Sequence, residues 1–510
     1  MTISIVLQFA VVLAAIWMGA RFSGVGLGLW GAVGLLILVV AFGVNPTSPP
    51  IDVMLIILAV IMAASVMDAA GGIDFLVRIA ERIIRANPKY VTIVAPLTTW
   101  AFTFVAGTGH IVYPLLPVIY ETAHRSGIRP ERPMAVATIA SQQAITASPV
   151  AAATAAMIGL FAEKGMTQWG LPQILMVCVP ATLCGVIVAA IVSMFIGKDL
   201  EDDPEYQAAL ASGKVRAPTL LGGTVTSSNA AAQVHGGALT AAAASSNLLR
   251  NAIPQVASGG AAALSSPVAA AAALTSVSVP AKRGSDTVHS TEVKPLKSTA
   301  KISAYVFLIG VGLVVLFGFF PELRKLPGAK DPLGMPIVIE IVMMSVAAIM
   351  LLLTKVPVDT IPKTATLRAG VVAVIGIFGL AWLGDSFIAA NKDVIVSAIG
   401  RQADAHPWTF AFGLFFASVL LYSQAATTRA LMPLGVALGI PPQFLIAMFP
   451  SVNGYFFIPT YGSLIAAINF DLSGTTKIGK YVLNHSFMIP GIVATAAAVV
   501  TGLFLAKIMF

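Results

Sequence analysis

Residues 91–120 read VTIVAPLTTWAFTFVAGTGHIVYPLLPVIY, an apolar stretch broken midway at Gly107-Thr108-Gly109-His110. A membrane helix needs about 20 mostly apolar residues, so these thirty are either one long kinked span or a hairpin that enters the bilayer and returns. Charge separates the two. Four Lys or Arg precede the stretch in 71–89 and three follow it in 121–132. Basic loops favour the cytoplasm, which puts both flanks on one side and makes the stretch a re-entrant hairpin. The stretch 407–438, broken at Ser423-Gln424-Ala425-Ala426-Thr427-Thr428-Arg429, has the same form.

Outward from the hairpins the chain holds apolar runs at 3–20, 25–44, 51–70, 133–160, 172–196, 302–320, 335–354, 369–390, 443–468 and 481–506. The expectation is an all-α polytopic membrane protein of about ten transmembrane helices plus two re-entrant hairpins. Of the 510 residues, 57% are hydrophobic and 10% charged, against about 25% charged in soluble domains. That composition rules out a soluble enzyme, a nucleic-acid partner and a disulfide scaffold. The net charge of +8 is loop charge. With both termini periplasmic, cytoplasmic segments hold 22 of the 30 basic residues; without the nine in the long 197–301 loop, 13 face six on the other side. Residues 73–86 alternate an apolar stripe (Ile73, Leu76, Val77, Ala80, Ile83, Ile84) with Arg78, Glu81, Arg82 and Arg85, which predicts an amphipathic helix at the interface.

The same layout repeats. Three spans, a hairpin and two spans fill 1–196, and the same order fills 302–510. After each hairpin come Gly127-Ile128-Arg129-Pro130 and Gly439-Ile440-Pro441, then a span broken by polar residues, Ser141 to Pro149 and Ser451 to Pro459. The first half starts outside and the second inside, so the transport repeats are of inverted topology. That architecture, with discontinuous helices, belongs to secondary transporters. Between them, 197–301 is a cytoplasmic loop whose 212–300 part is an Ala/Ser-rich low-complexity linker that cannot bury a core.

No His-Glu-x-x-His, Gly-x-Ser-x-Gly or P-loop is present, so neither a metal nor another cofactor is expected. The polar residues at membrane depth lie at the four breaks. Thr108 and His110 stand at the first tip, with Ser141, Gln142, Thr146 and Ser148 in its partner span. Ser423, Gln424, Thr427, Thr428 and Arg429 form the second tip, and Ser451, Asn453 and Thr460 follow in the last break. A broken helix frees backbone groups that hydrocarbon cannot satisfy, tolerated where they line a site. Half-helix N-termini favour an anion. Hydroxyls and amides at two symmetric tips suit a ligand with two carboxylates; for any single Ser or Thr, packing in lipid is the alternative. Arg429, a lone cation at depth, would meet a carboxylate or else snorkel to the interface. Glu340, Asp385 and Asp68 are candidate proton-coupling acids. The spans are too uniformly apolar for a channel.

Pro49-Pro50-Ile51-Asp52-Val53-Met54, Asn87-Pro88-Lys89-Tyr90-Val91, Gly107-Thr108-Gly109-His110 and Gly127-Ile128-Arg129-Pro130-Glu131-Arg132-Pro133 resemble the anaerobic C4-dicarboxylate transporter (Dcu) family. So do Ser141-Gln142, Ala147-Ser148-Pro149, Ser423-Gln424-Ala425-Ala426, Pro459-Thr460-Tyr461, Phe470-Asp471-Leu472-Ser473-Gly474-Thr475-Thr476 and Asn484-His485-Ser486-Phe487. The resemblance covers about 1–205 and 300–510 and leaves the 212–300 insert apart. It implies a bacterial inner-membrane carrier of fumarate, succinate, malate and aspartate, working by exchange or by uptake coupled to H+ or Na+. Self-association stays open. Leu464 and Val419 stand where B-type relatives tend to carry Asp and Lys, which places the chain closer to the A-type. A dicarboxylate-binding membrane regulator partnered with a sensor kinase is the other reading.

Overall fold

The computed structural model describes residues 3–22, 25–212, 215, 296–329, 331–421, 423–459, 461–479 and 483–510. Thr460 and nearly all of the 212–300 linker lie outside the described residues. Among those described the chain is helical, with one isolated bridge between Ile478 and His485. The first part of the chain forms α1 (Ile3–Phe22), α2 (Gly26–Phe42), α3 (Ile51–Ala69), α4 (Gly72–Ala86), α5 (Val91–Ala106), α6 (Val112–Arg125), α7 (Glu131–Gln143), α8 (Ala152–Glu163), α9 (Leu171–Ser193) and α10 (Pro204–Ala211). The second forms α11 (Ala300–Phe319), α12 (Met335–Thr354), α13 (Ala365–Gly376), α14 (Trp382–Ala405), α15 (Phe410–Leu421), α16 (Gln424–Ala437), α17 (Pro442–Met448), α18 (Gly462–Phe470) and α19 (Met488–Met509).

Seven of these stretches are long and apolar enough to cross a bilayer: Ile51–Ala69, Glu131–Glu163, Leu171–Ser193, Ala300–Phe319, Met335–Thr354, Ala365–Val394 and Met488–Met509. Large apolar side chains such as Ile309, Leu352, Val500 and Phe504 are exposed on their outer faces. Such a belt is stable only against hydrocarbon. The protein is a multi-pass membrane protein. Three of the expected spans differ from these seven. The run 3–20 lies within the 20-residue α1, and 25–44 is the shorter apolar helix Gly26–Phe42. The stretch 443–468 is divided among α17, a 3-10 segment Phe449–Phe456 and α18. The last span begins at Met488 rather than 481, because 483–487 are occupied by turns and the bridge.

The amphipathic 73–86 segment is α4, but its stripe meets protein. Leu76, Val77, Ala80 and Ile84 are buried against the hairpin helices α5 and α6 and against α11, and Arg85 pairs with Glu121 of α6 at 2.8 Å. Covering the stripe with helices buries it as well as lipid would, and it holds the hairpin at its base.

The start of the 197–301 loop folds back on the turn after the hairpin. Arg132 donates to Asp199 at 2.6 Å, and Arg129 pairs with Glu131 at 2.6 Å and with Asp203. Asp203 also caps α10, accepting from the N–H of Glu205 at 3.0 Å. Burial works against the charged form of Asp203, yet the backbone N–H groups and the Arg129 guanidinium outweigh it and hold the carboxyl below its usual value. Burial likewise opposes the Arg129 charge, but Glu131 and Asp203 raise its pKa further.

Between α13 and α14 lies one wide turn of π-helix, Ile377–Ala381, packed on α2. A π turn is one residue inserted into an α-helix.

Candidate functional site

Both hairpin tips solve the same local problem. In the first, α5 ends at Gly107 in the left-handed region (φ +70°), Thr108 is extended, and a 3-10 turn leads into α6. A Cβ on Gly107 would lie 2.7 Å from the carbonyl oxygen of Val150, in the neighbouring break. A Cβ on Gly109 would lie 2.4 Å from Nε2 of Gln142. Glycine at both positions lets the tip touch the broken span. Thr108 Oγ1 then accepts from the N–H of His110 at 3.4 Å. In the second tip Ser423 is extended, and its hydroxyl accepts from the N–H of Ala426 at 3.2 Å, capping α16. An extended hydroxyl residue is the ordinary N-cap.

The partner spans break as the sequence predicts. After Gln143 the chain runs through a 3-10 turn, Ala144–Ala147, and extended residues at Ser148 and Ala151 before α8. The 3-10 segment Phe449–Phe456 carries a non-helical Asn453 (φ −101°, ψ 29°).

The tips and breaks converge on a cavity of about 830 Å³. Its walls include α3 through Val60, Ile61 and Ala64, α13 through Thr366 to Gly376, and both tips. The polar groups on it are Thr108, His110, Tyr113, Gln142, Thr366, Arg368, Ser423, Gln424 and Tyr461. The first turns of α6 and α16 face it, and their N–H groups give it positive potential. Behind it runs a chain of amides. Gln424 Nε2 donates to Oε1 of Gln142 at 2.8 Å and to Oδ1 of Asn453 at 3.1 Å. Asn453 Nδ2 donates to Oε1 of Gln143 at 3.2 Å, and Gln143 Nε2 to Thr495 at 2.8 Å. All these groups but Gln424 are buried, so the chain keeps a polar wall rigid in a low-dielectric interior.

Five sequence-predicted residues thus reach the cavity: Thr108, His110, Gln142, Ser423 and Gln424. Asn453 stands behind them. The rest lie elsewhere. Ser141, Thr146, Thr427, Thr428 and Ser451 donate their hydroxyls to backbone carbonyls three or four residues earlier, at 2.6–2.9 Å. Ser148 Oγ accepts from the N–H of Val150 at 3.4 Å.

Arg429 neither snorkels nor lines the cavity. Its side chain is fully buried, with two nitrogens 3.0 Å from Oε2 of Glu163 and one 3.2 Å from Oδ2 of Asp385. The pairing ties the second hairpin to the end of α8 and the start of α14. Asp68, another candidate acid, accepts from Thr366 at 2.8 Å. Glu163 and Arg368 were not singled out from sequence, since each looks like an ordinary charge at the end of a span. Tyr113, Thr366 and Thr495 carry no sequence signal that separates them from other hydroxyls. Among the described residues no group of three His, Cys, Asp or Glu is placed to hold a metal ion.

A bundle of apolar helices whose broken elements meet at a cavity has the build of a membrane transporter. The sequence matches the family described as anaerobic C4-dicarboxylate membrane transporters over residues 4–279 and 279–510, and the chain belongs to that family. It is 37% identical to the C4-dicarboxylate transporter DcuA of Escherichia coli K12 and 35% identical to that of Wolinella succinogenes, each over 99% of this chain and 100% of the relative. It is 34% identical to the anaerobic C4-dicarboxylate transporter DcuB of Shigella flexneri, over 97% of each chain.

Proposed function

We propose that this protein is a secondary transporter that carries C4-dicarboxylates (fumarate, succinate, malate and aspartate) across the bacterial inner membrane. It works by exchange, or by uptake coupled to H+ or Na+, with alternating access around the 830 Å³ cavity. The supporting observation is that cavity, where the N-termini of α6 and α16 and the amides of Gln142 and Gln424 meet. Thr108, His110, Gln142 and Ser423 form the contact set, with Gln424, whose two N–H groups go to Gln142 and Asn453, orienting the Gln142 amide. The remaining sequence candidates, Ser141, Thr146, Ser148, Thr427, Thr428, Arg429 and Ser451, hold the broken helices together. The printed names of the relatives describe transporters, which favours a carrier over a regulator, and the slightly higher identities to DcuA proteins favour the A-type.

Counterflow tests the carrier. Proteoliposomes loaded with unlabelled fumarate or aspartate should accelerate entry of labelled succinate, and monocarboxylates should not. Acceleration by monocarboxylates alone would overturn the reading.

The two successions of spans, hairpin and broken span also support inverted repeats flanking the 197–301 loop, with both termini periplasmic. A reporter active only in the cytoplasm should be silent when fused after Phe510 and active within the 212–300 linker. The reverse pattern would refute the orientation.

A further inference from the structure

On the reading of the cavity as the dicarboxylate site, we propose that Arg368 pairs with one carboxylate of the substrate and sets the preference for a dianion over a monoanion. Arg368 is the only Lys, Arg, Asp or Glu among the described residues that line the cavity. With Val372 and Gly376 it forms an i, i+4, i+8 row on α13, and all three line the wall. Side chains in such a row lie on one helix face and tilt toward the N-terminus, which brings the guanidinium to the end of the cavity nearest the start of α13.

Three features mark the position as more than a surface charge. First, among the described residues the Arg368 side chain has no hydrogen bond or ion pair, whereas Arg429 has two carboxylates. Second, Thr364 caps α13 through a 3.2 Å bond from the N–H of Leu367, so Arg368 sits in or just beyond the first helical turn. A cation there opposes the helix dipole, so the charge does not stabilise its own helix and instead adds to the positive potential that an anion would meet.

The third feature is the charge balance. A C4-dicarboxylate at neutral pH carries two negative charges. Each helix N-terminus supplies the equivalent of about +0.5 charge, so the ends of α6 and α16 together match about one carboxylate. The amides and hydroxyls on the wall are neutral, and Asp68, bonded to Thr366 of that wall, adds only negative charge. The second carboxylate requires a full positive charge, and Arg368 supplies it. A monocarboxylate is already matched by the two tips and gains little from a guanidinium at the far end.

Calorimetric titration of the purified full chain with succinate and with butyrate, its four-carbon monocarboxylate counterpart, tests the assignment. Arg368 is exposed, and melting temperature verifies that the variants are folded. In Arg368→Gln the succinate affinity should fall roughly 10- to 150-fold, the loss expected for charge-assisted hydrogen bonds, with little change for butyrate. Arg368→Lys should recover part of the loss but not all, because the planar fork is gone. Unchanged succinate binding in folded Arg368→Gln, or an equal loss for both acids, overturns the assignment while wild-type binding leaves the cavity reading standing. Wild-type protein that binds no succinate overturns both.

Discussion

Two arginines in the second half of the chain, one inside the second hairpin and one before it, differ in what surrounds them. Arg429 lies inside α16 with no solvent exposure and two carboxylates within 3.2 Å. Arg368 lies on α13 at the wall of a cavity, with no partner among the described residues. A buried guanidinium must be paired or it is ruinous, so an arginine held deep in the bundle is committed to its protein partners. One at the wall of a cavity can wait for a ligand. Depth in the membrane points to function when a charge has no counterion. Once the counterions are found, the same depth points to architecture.

The strongest way to break this contrast is Arg429→Ala. Glu163 and Asp385 would lose their common partner, and breaking a buried pair costs about 3–5 kcal/mol. Glu163 is 28% exposed, which places the expected loss toward the lower end. Thermal unfolding in detergent should show a large drop in melting temperature, and the folded fraction should keep its succinate affinity. A normal melting temperature with abolished binding would put Arg429 in the substrate site and undo the comparison.

Gln424→Ala and Thr108→Ala sharpen it from the other side. Each removes a group from the cavity without unpairing a charge. One hydrogen bond to a carboxylate is worth roughly 1.5–3 kcal/mol, so Thr108→Ala should weaken binding about 10- to 150-fold at about 1.4 kcal/mol per decade. Gln424, whose two N–H groups go to Gln142 and Asn453, acts through the Gln142 amide, and its loss should weaken binding less. Native affinity in both variants would remove the twin tips from the site.

The smallest effect concerns a third arginine, Arg129, which is paired but near the surface. Its partner Asp203 has a folded pKa below the usual value. The stability this contributes is therefore present at neutral pH and is lost as pH falls through the folded pKa, below about pH 4. Amide exchange in α10, corrected for its intrinsic pH dependence, should quicken in that window. Asp203→Asn should quicken it at neutral pH and abolish the acid step; an unaltered acid step in the variant would assign the docking to other groups.

The continuous spans are legible in sequence because lipid leaves the backbone no option but a helix. The runs 51–70, 302–320 and 335–354 correspond to Ile51–Ala69, Ala300–Phe319 and Met335–Thr354. The breaks are legible for the same reason, since Gly107, Pro149 and Asn453 interrupt runs that would otherwise continue. Which polar residues face the cavity is less so. Thr108 and Thr427 look equally available, yet one lines the cavity and the other donates to the carbonyl of Ser423 at 2.8 Å. A hydroxyl can always turn to its own helix, and only packing decides whether it does. The role of Arg429 was hidden because its partners are distant in sequence, Glu163 by 266 residues and Asp385 by 44.

The π turn at Ile377–Ala381 sets the phase between those partners. α13 presents Arg368, Val372 and Gly376 to the cavity, and α14 presents Asp385 to Arg429. Successive residues of an α-helix are turned by about 100°. Deleting one residue from the turn would restore a regular helix and swing α14 by that angle, carrying Asp385 away from its arginine while leaving the cavity wall where it is. The single extra residue works as a clutch plate between two faces of one span, letting the cavity-facing half and the ion-paired half keep different angular settings.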